Sequence, residues 1–447
     1  MKKFLFAFLF FFSIYWLSFS QSGFVIQNKK QQDKIKFKLI NNLILIPVEI
    51  NGVELSFILD TGVSKPIVFN ILNVSETLKI NNSEKIFLRG LGEGEPIEAL
   101  RSKNNIIKIG DAININQDLY AVYNVNLNFA PRLGIPVHGI IGYDFFKDFV
   151  VEINYSKKYI KIYENKVYEY KDCKNCETLN LDFFNKKPYL NAQVTFNNKD
   201  ISVKLLIDSG GTDALWLFEN ETIGLTANEN NFVDFLGHGL NGSVYGKRSK
   251  IESFSINSFE LPHANVAFPD STSISSAKIF KDRNGSLAGN ILKRFNVIID
   301  YKKGLIQLKK SKYFKESFSY NKSGIELEHN GIRLVQESKS MVPDIGNQRL
   351  DQNESAVGGR MVFNREYRYS VKPAFTIVEL RKDSPADKVG LQIGDVILKI
   401  NSKEAFHYTL QELTHFFYDK AGKVIRLKVD REGRKMNFQF KLENILE

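Results

Sequence analysis

A five-residue pattern, two apolar residues followed by Asp, a hydroxyl residue and Gly, occurs at Ile58-Leu59-Asp60-Thr61-Gly62 and again at Leu206-Ile207-Asp208-Ser209-Gly210. One copy would read as a strand running into a turn, because Asp and Gly are turn residues for backbone reasons alone. Two copies, each at the end of an apolar run, restrict the chain to folds that present a pair of equivalent strand ends. The surroundings repeat as well. Residues 35–50 largely alternate apolar and polar side chains, as one half-buried strand does, and Asn51-Gly52 is a two-residue hairpin signal before the return to Asp60. Residues 188–196, a turn at Asn197-Asn198-Lys199-Asp200 and residues 201–207 lead in the same way to Asp208.

Spacing tests the repeat downstream. Ile140-Ile141-Gly142 places its glycine 82 positions after Asp60, and Leu287-Ala288-Gly289 places its glycine 81 positions after Asp208. A short helical turn and a closing hairpin follow each. Phe149-Val150-Val151-Glu152-Ile153-Asn154-Tyr155 aligns with Phe295-Asn296-Val297-Ile298-Ile299-Asp300-Tyr301. The economical conclusion is one internal duplication giving two mainly β lobes, residues 30–165 and 180–310. Each lobe also carries a glycine-rich tip between strand-like segments, Gly90-Leu91-Gly92-Glu93-Gly94 and Gly237-His238-Gly239-Leu240-Asn241-Gly242, expected as mobile hairpins. The second fits G-x-G-x-x-G by letter, but no amphipathic helix follows and no βαβ unit surrounds it, so dinucleotide binding is not indicated.

Other chemistries find little support. The six His are scattered without an H-E-x-x-H, and the two cysteines, Cys173 and Cys176, lie together in a polar stretch. No second ligand pair for zinc and no βαβ context for a redox C-x-x-C accompany them, which leaves a local disulfide pinning a loop. Neither metal nor cofactor is expected. The net charge of +11 is dispersed among interleaved acids, without the basic block of a nucleic-acid arm. At the N-terminus, Lys2 and Lys3 precede an apolar run to Phe19, with Ser18 and Ser20 at the end. This is expected to be a secretory signal, residues 1–20, cleaved after Ser20, and the protein is expected to be exported: periplasmic, cell-surface or secreted. No cysteine near that point would carry a lipid, and no later segment is long and apolar enough to span a bilayer.

Two facing carboxylates can hydrolyse a peptide bond without metal or nucleophile. Like charges a few ångströms apart share one proton; the ionised member activates water and the protonated one polarises the scissile carbonyl. The hydroxyls of Thr61 and Ser209 and the amides of Gly62 and Gly210 are placed to hold such a pair. At these residues the chain resembles the aspartic peptidases of the retropepsin and pepsin type over roughly residues 30–310. The resemblance implies duplicated, barrel-like lobes related by a pseudo-twofold axis, a catalytic pair Asp60 and Asp208, and flaps at Gly90, Gly92, Gly237 and Gly239 that close over a peptide or protein substrate. The chain departs from the family pattern after the glycine of each signature, at Val63 and Gly211. A monomer suffices, since both aspartates lie on one chain.

From about residue 311 the composition changes. Residues 337–365 read as an exposed loop or insertion, and order resumes near Tyr367. Ser384-Pro385-Ala386, Val389-Gly390-Leu391, Gly394-Asp395-Val396-Ile397 and Ile400-Asn401 resemble the core of a bacterial PDZ domain within residues 311–447, centred on 367–432. By position, Ala374, Phe375, Thr376 and Ile377 would form its peptide-binding strand and residues 410–417 the helix opposite, with the C-terminal end of another chain as ligand. The combination resembles exported bacterial aspartyl proteases with a C-terminal PDZ module. A catalytically inactive peptide-binding or adaptor protein fits the same residues, as does a dimer pairing Asp60 with Asp60.

Overall fold

The computed structural model describes residues 23–70, 78–80, 83–123, 127–196, 198–339 and 366–446. The expected leader at residues 1–20 lies outside them, as do residues 340–365 of the expected insertion. The protein is mainly β. It forms two compact units, the first ending at Ser323 and rejoined by the chain from Glu443, the second Gly324–Leu442. No helix among the described residues is long and apolar enough to cross a membrane.

In the first unit the hairpin of Leu43–Ile50 and Val53–Leu59 forms around Asn51 and Gly52, whose φ angles of 49° and 87° suit a tight turn that follows strand twist. Gly139–Ile141 then inserts parallel to the return strand, with Ile141 beside Leu59, and Ile67–Val68 pairs antiparallel on its other side. The second lobe repeats this. Lys187–Phe196 pairs with Lys199–Asp208, Gly285–Ala288 inserts parallel with Leu287 beside Ile207, and Leu215–Leu217 flanks it antiparallel. Parallel insertion buries a strand on both edges, which is why Leu59, Ile141, Ile207 and Leu287 are all at most 1% exposed.

The closing hairpins do not close their lobes separately. They join in one six-stranded sheet ordered Cys176–Asn180, Leu305–Lys310, Phe295–Asp300, Phe149–Asn154, Tyr159–Glu164, Gln32–Lys36. Val151 pairs with Ile299 and Ile153 with Val297 across its centre, and one hydrophobic core runs through both lobes. The first expected strand is accordingly broken. Asn41 and Asn42 both take positive φ, 47° and 69°, so residues 35–50 divide between the shared sheet, Lys38–Ile40 and Leu43–Ile50. Asn tolerates this left-handed turn, and that overrides the alternating pattern. Residues 311–323 pack onto this unit rather than beginning a linker: Tyr313, Phe314 and Phe318 lie against its core, and the Arg294 guanidinium donates to the Phe314 carbonyl at 3.2 Å and to that of Glu316. Cys173 and Cys176 are joined in a disulfide.

The second unit is a sheet ordered Ile325–Lys339, Glu366–Leu380, Val396–Ile400, Val424–Arg431, Arg434–Lys441. Its core gathers Phe375, Ile377, Leu413, Phe417, Ile425 and Leu427. Ser384 caps Pro385–Lys388, and Thr409 with Glu412 forms a reciprocal capping box on Leu410–His415. Fully buried Asp395 receives a two-pronged hydrogen bond from Arg431, at 2.6 and 2.7 Å. That pairing satisfies the carboxylate and fixes the turn before Val396.

Candidate active site and peptide groove

Asp60 and Asp208 each stand where a hairpin's return strand meets the parallel insertion. The Asp60 amide donates to Ile141 O at 2.8 Å, and Asp208 is the last residue of its strand, beside Ala288. The hydroxyl residues after them tie the two loops together through buried bonds. Thr61 Oγ1 donates to Ile207 O at 2.6 Å and accepts the Ser209 amide at 3.1 Å. Ser209 Oγ donates to Leu59 O at 2.8 Å and accepts the Thr61 amide at 3.0 Å. Thr61 and Ser209 are 1% and 2% exposed, so each bond is shielded from water.

This grip brings each glycine against the opposite carboxylate. The Gly62 amide donates to Asp60 Oδ1 at 2.7 Å, and the Gly210 amide to Asp208 Oδ1 at 3.1 Å. A Cβ on Gly210 would lie 2.3 Å from Asp60 Oδ2, and one on Gly62 3.5 Å from Asp208 Oδ1. Only glycine permits the approach at position 210. Both carboxylates stay partly accessible although protein surrounds them. Burial, then repulsion from Asp208, pushes Asp60 up to about 7 against the Gly62 and Gly210 amides. Asp208 is raised as well, by burial, while Arg283 and Lys187 pull it back. The pair therefore keeps a proton through the acid range.

The late glycines are not equivalent in register. Leu59 pairs with Ile141 and Ile207 with Leu287, so Gly142 corresponds to Ala288, and Gly289 takes the place of Tyr143. The amides of Tyr143 and Gly289 confirm the match, donating to Val63 O and Gly211 O at 2.9 Å each. The departure at Gly211 thereby acquires a reason. In the first lobe the side chain is on Val63 and the bare backbone at Gly142, where a Cβ would come within 2.0 Å of Asp60 O, 2.6 Å of Val63 O and 2.8 Å of Val63 Cγ1. In the second lobe the bare backbone is Gly211 and the methyl is on Ala288, 3.0 Å from a Cβ built on Gly211. At the first junction backbone oxygens exclude a side chain at position 142; at the second the bare Gly211 leaves space for the Ala288 methyl.

The glycine-rich tips are fastened to each other. The Asn241 side chain accepts from the Gly90 amide and donates to Glu95 O. Its backbone donates to Leu91 O and accepts from the Gly94 amide, both at 2.8 Å. Gly92 donates to Ser273 O at 2.9 Å. A Cβ on Gly92 would meet Asn241 C at 2.5 Å and one on Gly239 Leu91 O at 2.2 Å, whereas Gly237 has nothing within 4 Å but a φ of 151°. Asn241, 5% exposed, had no signal beyond its place in the tip. Asn241→Ala removes two side-chain bonds of about 1 kcal/mol each. Amide exchange at residues 90–94 is therefore expected to accelerate roughly tenfold or more, measured by mass spectrometry; unchanged exchange would mean that the backbone bonds hold the tips alone.

The expected peptide-binding strand of the second unit needs correction. Ala374, Phe375, Thr376 and Ile377 are at most 6% exposed and interior to the sheet: Phe375 and Ile377 pair with His329 and Leu327, and Thr376 with Val396. A strand paired on both sides has no edge to offer. The edge strand is Ile325–Lys339, and helix Leu410–His415 packs beside it.

A family model described as aspartyl protease matches residues 46–145, and a PDZ domain model matches residues 376–431. The first span contains Asp60, Thr61, Gly62 and Gly142, and together the matches give a protease-plus-PDZ architecture. No curated protein matches the chain.

Proposed function

We propose that the chain is an aspartic endopeptidase whose catalytic pair is Asp60 and Asp208. The observation that carries this reading is the reciprocal seating of the carboxylates: each loop's glycine lies against the other loop's aspartate, beneath a four-bond grip. A pair sharing one proton suits both halves of the reaction. The ionised carboxylate takes a proton from a water between them as its oxygen bonds to the scissile carbon. The protonated one hydrogen-bonds the carbonyl oxygen where charge develops. Return of a proton to the amine nitrogen then lets the C–N bond break. With Asp60 protonated up to about 7, the reading supports activity from acid to near-neutral pH.

In the second unit, the groove between the edge strand Ile325–Lys339 and helix Leu410–His415 takes a peptide as an added strand, bringing substrate or partner to the protease lobes. The basic and apolar N-terminal segment fits export. The deciding experiment incubates an unfolded protein with wild type and with Asp60→Asn between about pH 4 and pH 7. Fragments are expected from wild type alone; equal fragmentation by both would overturn the assignment.

A further inference from the structure

Two cations stand near the carboxylate pair, and neither has a carboxylate of its own. Phe184 pairs with Lys187 across a two-residue turn in which Asn185 and Lys186 take φ of 49° and 65°. In the next hairpin the ladder ends at Tyr189 beside Leu206, and Lys187 and Asp208 each lie two residues beyond that pair on their own strands. Successive side chains alternate faces, so Lys187 shares the face of Asp208 and Tyr189. The turn is braced from both lobes. Phe184 stacks on Phe280 at 4.4 Å, Phe183 meets Tyr301 edge-on at 4.9 Å, and Lys186 lies over the Tyr143 ring. Lys187 is half-buried, and its ammonium makes no hydrogen bond or ion pair with any described residue, while feeling both Asp60 and Asp208. Arg283, 8% exposed, donates to Gly285 O and Ser286 Oγ, hydrogen-bonds the Tyr189 side chain, and faces Asp208 without pairing to it.

The first lobe shows what is special here. Its matching turn, Asn41-Asn42, precedes Leu43, which pairs with Ile40 as Lys187 pairs with Phe184. The matching position to Arg283 is Val137, fully buried. Thus the second lobe carries two cations where the first has Leu and Val. A pair of aspartates sharing one proton supplies one negative charge against these two positive ones. A positive charge drawn partly out of water without a counter-ion of its own is costly, and an incoming carboxylate relieves it.

We propose that Lys187, backed by Arg283, forms a subsite beside Asp208 for an acidic side chain, so that the preferred substrates are peptides with Asp or Glu at a fixed position flanking the scissile bond. This rests on the catalytic reading of Asp60 and Asp208. Lys187 is a specificity residue and Arg283 a positioning charge behind it.

The test uses the full chain and one peptide cut by wild type, with each residue flanking the cleaved bond replaced in turn by Glu or by Gln, at about pH 6 where the Glu side chain is ionised. At one position kcat/KM for Glu over Gln is expected to be about tenfold or more, as a charge-assisted contact gives. Lys187→Met, close in volume to the leucine of the first lobe, is expected to bring that ratio to about one, and Lys187→Arg to retain it. A wild-type ratio near one at every position, or an unchanged ratio in Lys187→Met, overturns the proposal. If wild type cleaves nothing, the peptidase reading fails by itself, and calorimetric Kd values for the Glu and Gln peptides still decide the subsite. Tighter Glu binding lost in Lys187→Met supports it; equal Kd values in wild type overturn it.

Discussion

Asp208→Asn is expected to lower kcat/KM for peptide cleavage by at least about a thousandfold while leaving the fold intact. Asn is isosteric and still accepts the Gly210 amide now at 3.1 Å from Oδ1, so the loop keeps its geometry. What it removes is the acid–base partner and the repulsion that helps hold Asp60 up to about 7. The same substitution has a signature without substrate. A carboxyl whose folded pKa is raised binds a proton the unfolded chain has already released, so its stabilising contribution is complete below about 3.8 and is lost as pH rises to about 7. Wild type is therefore expected to lose melting temperature between about pH 4 and pH 7 through this site, and Asp208→Asn to show a shallower loss over that window. Parallel melting curves would refute mutual repulsion, and near-wild-type cleavage would refute the catalytic assignment.

The second large effect is expected from Thr61→Val combined with Ser209→Ala. The amides of Thr61 and Ser209 and the carbonyls of Leu59 and Ile207 would all lose their partners in a buried place. Each unsatisfied group costs about 1–3 kcal/mol, so a total of several kcal/mol is expected. For a unit of this size that is a fall on the order of 10 °C in melting temperature. Thr61→Ser keeps both roles of the hydroxyl and is expected to stay close to wild type. Thermal melts of the three proteins check this, and a double variant as stable as Thr61→Ser would mean the grip carries little of the fold.

Much of the site was legible because its chemistry is local. Asn51-Gly52 fixes a turn whatever surrounds it, and a hydroxyl after an aspartate has few other uses beside a second copy. The register of the late glycine was less accessible, since Gly289 and Ala288 differ by one step and only pairing with Ile207 and the bond to Gly211 O choose between them. Lys187 could have been found by counting back from the Asn198 turn past the Tyr189–Leu206 pair, a step that needs the hairpin register first. Arg283 had no such handle, being brought in by the parallel insertion. In the second unit, the largely apolar residues at 374–377 fit an interior strand as well as a ligand-binding one. The edge strand beginning at Ile325 was hidden by the polar composition that follows it.

The shared sheet also bears on synthesis. When the ribosome has made the first lobe, the strand that pairs with Phe149–Asn154 on one side, Tyr159–Glu164, is present, but the strand for its other side, Phe295–Asp300, emerges only about 140 residues later. In that interval Val151 and Ile153 belong to an open edge, the kind of surface that recruits other chains. Neither lobe can complete this sheet by itself: the first half needs the second both to pair the free side of Phe149–Asn154 and to bring Asp208 to Asp60.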